Sequence, residues 1–134
     1  MATTINRKVR QFTDFNLLFE TNPFSKDIIL KKDEEAVKAS IKNLILTKNY
    51  ERPFHPEIGS PVYALLFENF NPVLKNTLEK VIEELLKKFE PRAEITSVNV
   101  TDNSDENSID VQIEFRMLNV ARPITVLTSL KRVR

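Results

Sequence analysis

The chain has 134 residues, with 20 Lys and Arg against 19 Asp and Glu (net charge +1), one His, one Gly and no Cys. The missing cysteines exclude disulfides, thiol nucleophiles, Fe–S clusters and thiolate zinc sites, and a lone histidine leaves no His-rich metal site. A single glycine excludes glycine loops that cradle phosphate, and the near-neutral charge argues against a globally basic nucleic-acid binder.

Residues 1–30 mix Phe12, Phe15, Leu17, Leu18, Phe19 and Phe24 with Thr, Asn and Asp, and Pro23 interrupts them. The stretch is too apolar for a solvated tail and too irregular for a long helix. It reads as an extended arm lying over the domain or a neighbour, with 28–30 as a small strand at its end. Residues 31–134 form the domain proper. Asp33 is the expected N-cap of a first helix, with Glu34 and Glu35 favourably placed in its first turn. Val37, Ile41, Leu44 and Ile45 make its apolar stripe. Residues 51–61 (ERPFHPEIGSP) hold three prolines and the only glycine, and read as an ordered loop. Gly59 is expected there at positive φ. A short helix over 63–69 is expected to bury Leu65, Leu66 and Phe67.

The next helix is the clearest element. Asn71 caps it, Pro72 takes the first helical position, and Pro91 stops it. Leu74, Leu78, Val81, Ile82, Leu85 and Phe89 form one stripe opposite a charged face. Beyond Arg92 the period changes from 3.6 to 2. Residues 95–100 read as a strand, and 102–108 (DNSDENS) as an acidic hairpin tip. Ile109, Val111, Ile113, Phe115 and Met117 then alternate with polar residues, as a half-buried antiparallel strand requires. Residues 119–123 turn the chain, and 124–130 give a third strand. The predicted class is α+β: two main helices and a short one packed on a C-terminal antiparallel three-stranded meander, preceded by the arm. No apolar run along this path approaches the ~20 residues of a membrane span, and the N-terminus lacks a signal-peptide core. The expectation is a soluble, intracellularly made domain without catalysis.

Four marks stand in order along the domain: S-x-x-N-L at 40–44, E-R-P-F-x-P-x-x-G at 51–59, LFE at 66–68 and EPR at 90–92. Together, over 27–133, they resemble the baseplate wedge and sheath-initiator family of contractile-tail bacteriophages, which also supplies baseplate components of type VI secretion systems. The resemblance implies a structural part in the virion tail baseplate, assembled in the host cytoplasm and present in six copies. The implied partners are the other wedge proteins, through their helical core bundle, the tail sheath protein, and the tail-tube or hub proteins. No nucleic acid, membrane, cofactor or metal is implied.

On this reading Glu90, Pro91 and Arg92 dock the core bundle, since a guanidinium held after a proline makes planar, bidentate contacts. Arg52 and Phe54 offer a second contact from the 51–61 loop, whose bland alternative is a rigid lid on the helices. The family's C-terminal strands offer the sheath a strand-exchange contact. Here these are Ile109, Val111, Ile113 and Phe115, followed by Ile124, Val126, Thr128 and Leu130. Truncation after Ala121 is therefore expected to spare baseplate assembly and block sheath polymerisation. A basic C-terminus (Arg116, Arg122, Lys131, Arg132, Arg134) suits an acidic protein surface. The acidic tip lacks the glycine and terminal Glu of a calcium loop.

The rival is a peptidoglycan-degrading, lysozyme-like enzyme. A glycosidase needs two carboxylates, one with a raised pKa, and Glu68 with Glu90 is the pair to nominate. Some such pair is inevitable among 19 carboxylates, and the chain has no Trp to stack on sugars.

Overall fold

The computed structural model describes residues 11–118 and 120–132; the expectations on 1–10 of the arm, Asn119 and Arg134 lie outside them. The elements in order are β1 (Thr13–Phe15), β2 (Leu30–Lys32), α1 (Asp33–Leu46), α2 (Val62–Leu65), α3 (Pro72–Phe89), β3 (Ala93–Asn103), β4 (Ser108–Met117) and β5 (Val120–Lys131). The class is the expected α+β, helices first and sheet last.

The extended arm folds back on itself as a hairpin over its described residues. β1 pairs antiparallel with β2, an isolated bridge joins Thr21 to Ile28, and the chain turns between Asn22 and Asp27. The expected strand at 28–30 is thus displaced to Leu30–Lys32. Asp33 does not cap α1 with its side chain: Lys32 occupies the cap without a side-chain hydrogen bond. The Asp33 carboxylate accepts instead from the Phe12 amide at 2.9 Å, and the Asp33 amide donates to the Phe12 carbonyl at 2.7 Å. Asp33 adopts φ +44° to do this, a region that Asp tolerates better than most residues.

α3 starts as its sequence requires. The Asn71 side chain accepts from the Leu74 amide at 2.8 Å, and Pro72 opens the helix. Asn71→Ala is expected to lower stability by about 1 kcal/mol, read as a shift of the urea midpoint at constant slope. Leu74, Leu78, Ile82 and Leu85 are buried with Leu86, whereas Val81 and Phe89 are half-buried. α2 is shorter than the expected 63–69 helix. It leaves Leu66 buried but Phe67 69% exposed, because the helix ends before Phe67 can turn inward.

The sheet has order β3-β4-β5, antiparallel throughout, with α1 and α3 packed on one face. Ile109, Val111, Ile113, Phe115 and Met117 of the central strand point into the core, as their alternation demands. Val100 meets them from β3, and Ile124, Val126 and Leu130 from β5. All three strands outrun their expected bounds. The turn expected over 119–123 is shorter, since β5 already begins at Val120 and Pro123 lies within it. A proline is tolerated there because β5 is an edge strand with one row of amides facing away from the sheet.

Gly59 corrects another expectation, since the chain has no glycine at positive φ. Its missing side chain serves close approach: a Cβ would stand 2.5 Å from the Lys48 carbonyl oxygen. There the loop returns against the end of α1, with the Ser60 amide donating to the Thr47 carbonyl at 2.7 Å.

Candidate protein-interaction site

The helix stop after Phe89 turns Glu90 inward. Its side chain is only 2% exposed, and both carboxylate oxygens are held by one guanidinium. Arg92 Nε donates to Oε1 at 2.6 Å and Nη2 to Oε2 at 2.8 Å, a planar fork whose register Pro91 fixes. Burial by itself would raise the Glu90 pKa. Hydrogen bonds from Arg92, the nearby Ser40 hydroxyl and the charge of Arg92 outweigh it and hold the carboxylate below its usual range. The same fork holds the guanidinium protonated more firmly than usual. Arg92 also reaches the arm: Nη1 lies 3.2 Å from Asp14 Oδ2, and the guanidinium stacks 5.5 Å from the Phe12 ring centre.

A groove of about 540 Å³ runs between the arm and the body beside this fork. Asp14 and Phe15 line it from the arm, Ser40 and Asn43 from α1, Arg52 from the loop and Phe89 from the end of α3. Three of the four sequence marks, separated along the chain, thus converge on one surface. Ser40 and Arg92 meet at Glu90, which sequence spacing alone did not reveal. Glu51 has a local task, its carboxylate accepting the Lys48 amide at 2.8 Å. Arg52 is exposed, and Phe54 is 95% exposed at φ +68°. LFE stands apart from the groove, and Glu68 is exposed.

The rival catalytic pair therefore divides badly. A general acid needs a carboxyl whose pKa is raised, and Glu90 is shifted the other way and fully engaged by Arg92.

The strand residues nominated for sheath contact fall into two groups. Ile109, Val111, Ile113 and Phe115 lie on β4, which pairs on both sides and has no edge to offer. Ile124, Val126 and Leu130 are buried, with Thr128 half-buried, but they lie on an edge strand whose backbone is open on one side. Truncation after Ala121 would strip those three core residues away. It would unfold the sheet before it tested any sheath contact, which corrects that expectation.

The two edges differ. β3 carries an irregularity between Ile95 and Ser97, and Glu79 of α3 accepts its outward Val100 amide at 3.1 Å. On β5 the Arg132 amide donates inward to Asn107, so by alternation the amides of Thr125, Leu127, Ser129 and Lys131 face outward. Among the described residues no further strand is paired along that side of β5. Two residues of the basic C-terminus are already engaged, Arg122 on Glu34 and Arg132 on Asp102.

The sequence profile described as baseplate wedge protein gp25 matches residues 31–121. Baseplate wedge protein gp25 of Enterobacteria phage T4 is 32% identical over 96 residues, spanning 72% of this chain and 73% of its own. A Geobacter sulfurreducens protein designated a tail lysozyme superposes with a TM-score of 0.68 at 25% identity, over 80% of this chain and 99% of that one. A chain of the anti-feeding prophage baseplate shares the fold with a TM-score of 0.63 at 22% identity, over 92% of this chain and 88% of its own. With the profile spanning the helices, the loop and the first two strands of the sheet, the chain belongs to the baseplate wedge protein gp25 family.

Proposed function

We propose that this chain docks the helical core bundle of the wedge through the surface around Glu90-Pro91-Arg92 and the 51–61 loop, and starts the sheath by accepting a strand on β5. As a family member it is a structural component of a contractile-tail baseplate, placed in the virion tail among other baseplate proteins. The finer reading is carried by the asymmetry of the sheet. One edge is interrupted between Ile95 and Ser97 and has its Val100 amide taken by Glu79, whereas the other presents four outward amides along a side with no paired strand among the described residues. A row of free amides is a liability in a lone chain and the means of strand addition in an assembly. At the other surface, Arg52 lines the groove and Phe54 stands exposed on the same loop, a cation and a ring of the kinds enriched at interfaces. The engaged, ionised state of Glu90 supports a structural role over hydrolysis; cell-wall hydrolysis by the purified chain would oppose it.

Leu127→Pro tests the sheath reading. It removes one outward amide from an edge strand and leaves the core face untouched, so the fold should survive. Baseplates should assemble around the variant while sheath polymerisation fails, seen by electron microscopy of tail particles. Full-length sheaths on such particles would sink the β5 assignment.

A further inference from the structure

Arg92 is shared between two unequal carboxylates. Glu90, 2% exposed, holds it in a tight fork, while Asp14, 39% exposed, meets Nη1 only at 3.2 and 3.4 Å. Asp14 lies on the arm, whose attachment to the body is slight. β1 and β2 pair over three residues, and the return is closed by the reciprocal Phe12–Asp33 bonds, which hold Asp33 at φ +44°. Two-stranded pairings of this kind are marginal by themselves, and a non-glycine residue at positive φ stores strain that release relieves. Phe12 covers the guanidinium while Asp14 takes its Nη1 end, and a groove stays open behind them.

We propose that the arm is an intramolecular latch, in which Asp14 occupies the Nη1 position of Arg92 that a carboxylate of the wedge partner takes on docking. This rests on the reading of Arg92 as a docking residue. Glu90 keeps the guanidinium in place throughout, so the exchange swaps one weak, exposed carboxylate for another and never uncovers the buried pair. The latch keeps the Arg92 end of the motif surface covered in the free chain and uncovers it only where a partner supplies the replacement. A latch shut in about four of five molecules lowers apparent affinity about fivefold.

The test titrates the full-length chain, Asp14→Ala and Arg92→Lys into the cognate wedge complex assembled without this chain, at low ionic strength. Asp14→Ala should bind about 3–5-fold tighter than the unaltered chain, the range expected of an exposed ion pair. Amide exchange across Thr13–Phe15 of the unaltered chain should quicken on docking as the arm leaves. Equal or weaker binding by Asp14→Ala, with Arg92→Lys impaired, overturns the latch and leaves the docking site standing. Undiminished binding by Arg92→Lys overturns the docking reading and the latch with it.

Discussion

Arg92→Ala is expected to lower the unfolding free energy at pH 7 by about 3–4 kcal/mol, because it leaves an uncompensated carboxylate in the core. Glu90 then has two options in the folded state. It stays charged at 2% exposure, or it takes up a proton, and protonating an ordinary Glu at pH 7 costs roughly 1.4 kcal/mol for each unit between pH and pKa. The penalty therefore depends on pH, with a definite sign. In the unaltered chain the Glu90 pKa is held low, so its stabilisation is complete above the ordinary carboxylate range and is lost as pH falls through the lowered native value. In the variant, burial without Arg92 raises the pKa, and acidification relieves the fault. The gap between the two proteins should narrow from pH 7 to pH 4.5 in urea unfolding. A gap of constant size would mean that the loss comes from packing and not from the stranded charge. Arg92→Lys should recover part of the loss, since a point charge replaces the fork without its second hydrogen bond.

Gly59→Ala should cost about 1–3 kcal/mol, and the sign of the change is itself informative. At a position of ordinary φ with open space, Gly→Ala stabilises by about 0.4–1 kcal/mol through the unfolded chain. Gly59 has ordinary φ but no space. The added Cβ would stand 2.5 Å from the Lys48 oxygen and 2.9 Å from the Asn49 nitrogen, both backbone atoms. Relief requires the loop to part from the end of α1, where the Ser60–Thr47 hydrogen bond and the Lys48–Ser60 bridge hold them together. The displaced loop would carry Arg52 away from the groove, so weaker docking should accompany the lower melting temperature. A raised melting temperature would show that the backbone yields.

These two residues also mark where sequence reasoning stopped. α3 is legible because everything it needs is local: Asn71 and Pro72 at its start, a stripe at helical spacing, and Pro91 past its end. The alternation of β4 is equally local, and it named the core face correctly. What was missed depends on contacts between distant residues. Nothing near Gly59 reveals that its Cα lies against residues 48 and 49. Phe12 and Asp33 are 21 residues apart, and their reciprocal bonds turned an expected cap into the closure of a hairpin. Asp14 and Arg92 are 78 apart, so the engagement of the EPR guanidinium by the arm had no signal in the chain. Pro123 misled because proline marks turns and edge strands alike, and only the strand order tells which applies. The marks themselves pointed to the right family, while the approach of Ser40 and Arg92, from two of them, to Glu90 emerged only in three dimensions.

Pro123 has one more consequence. It stands at the position on β5 where the next outward amide would fall, and it has none to give. A strand laid along this edge therefore finds donors only from Thr125 to Lys131, a stretch of about 20 Å at ~3.3 Å per residue. For the guest strand proposed above, that length would act as a ruler with a closed end. Sliding the guest towards Val120 forfeits hydrogen bonds, and sliding it the other way runs off the strand. In a ring of identical copies, such a stop would set every guest strand at the same height without any copy sensing its neighbour.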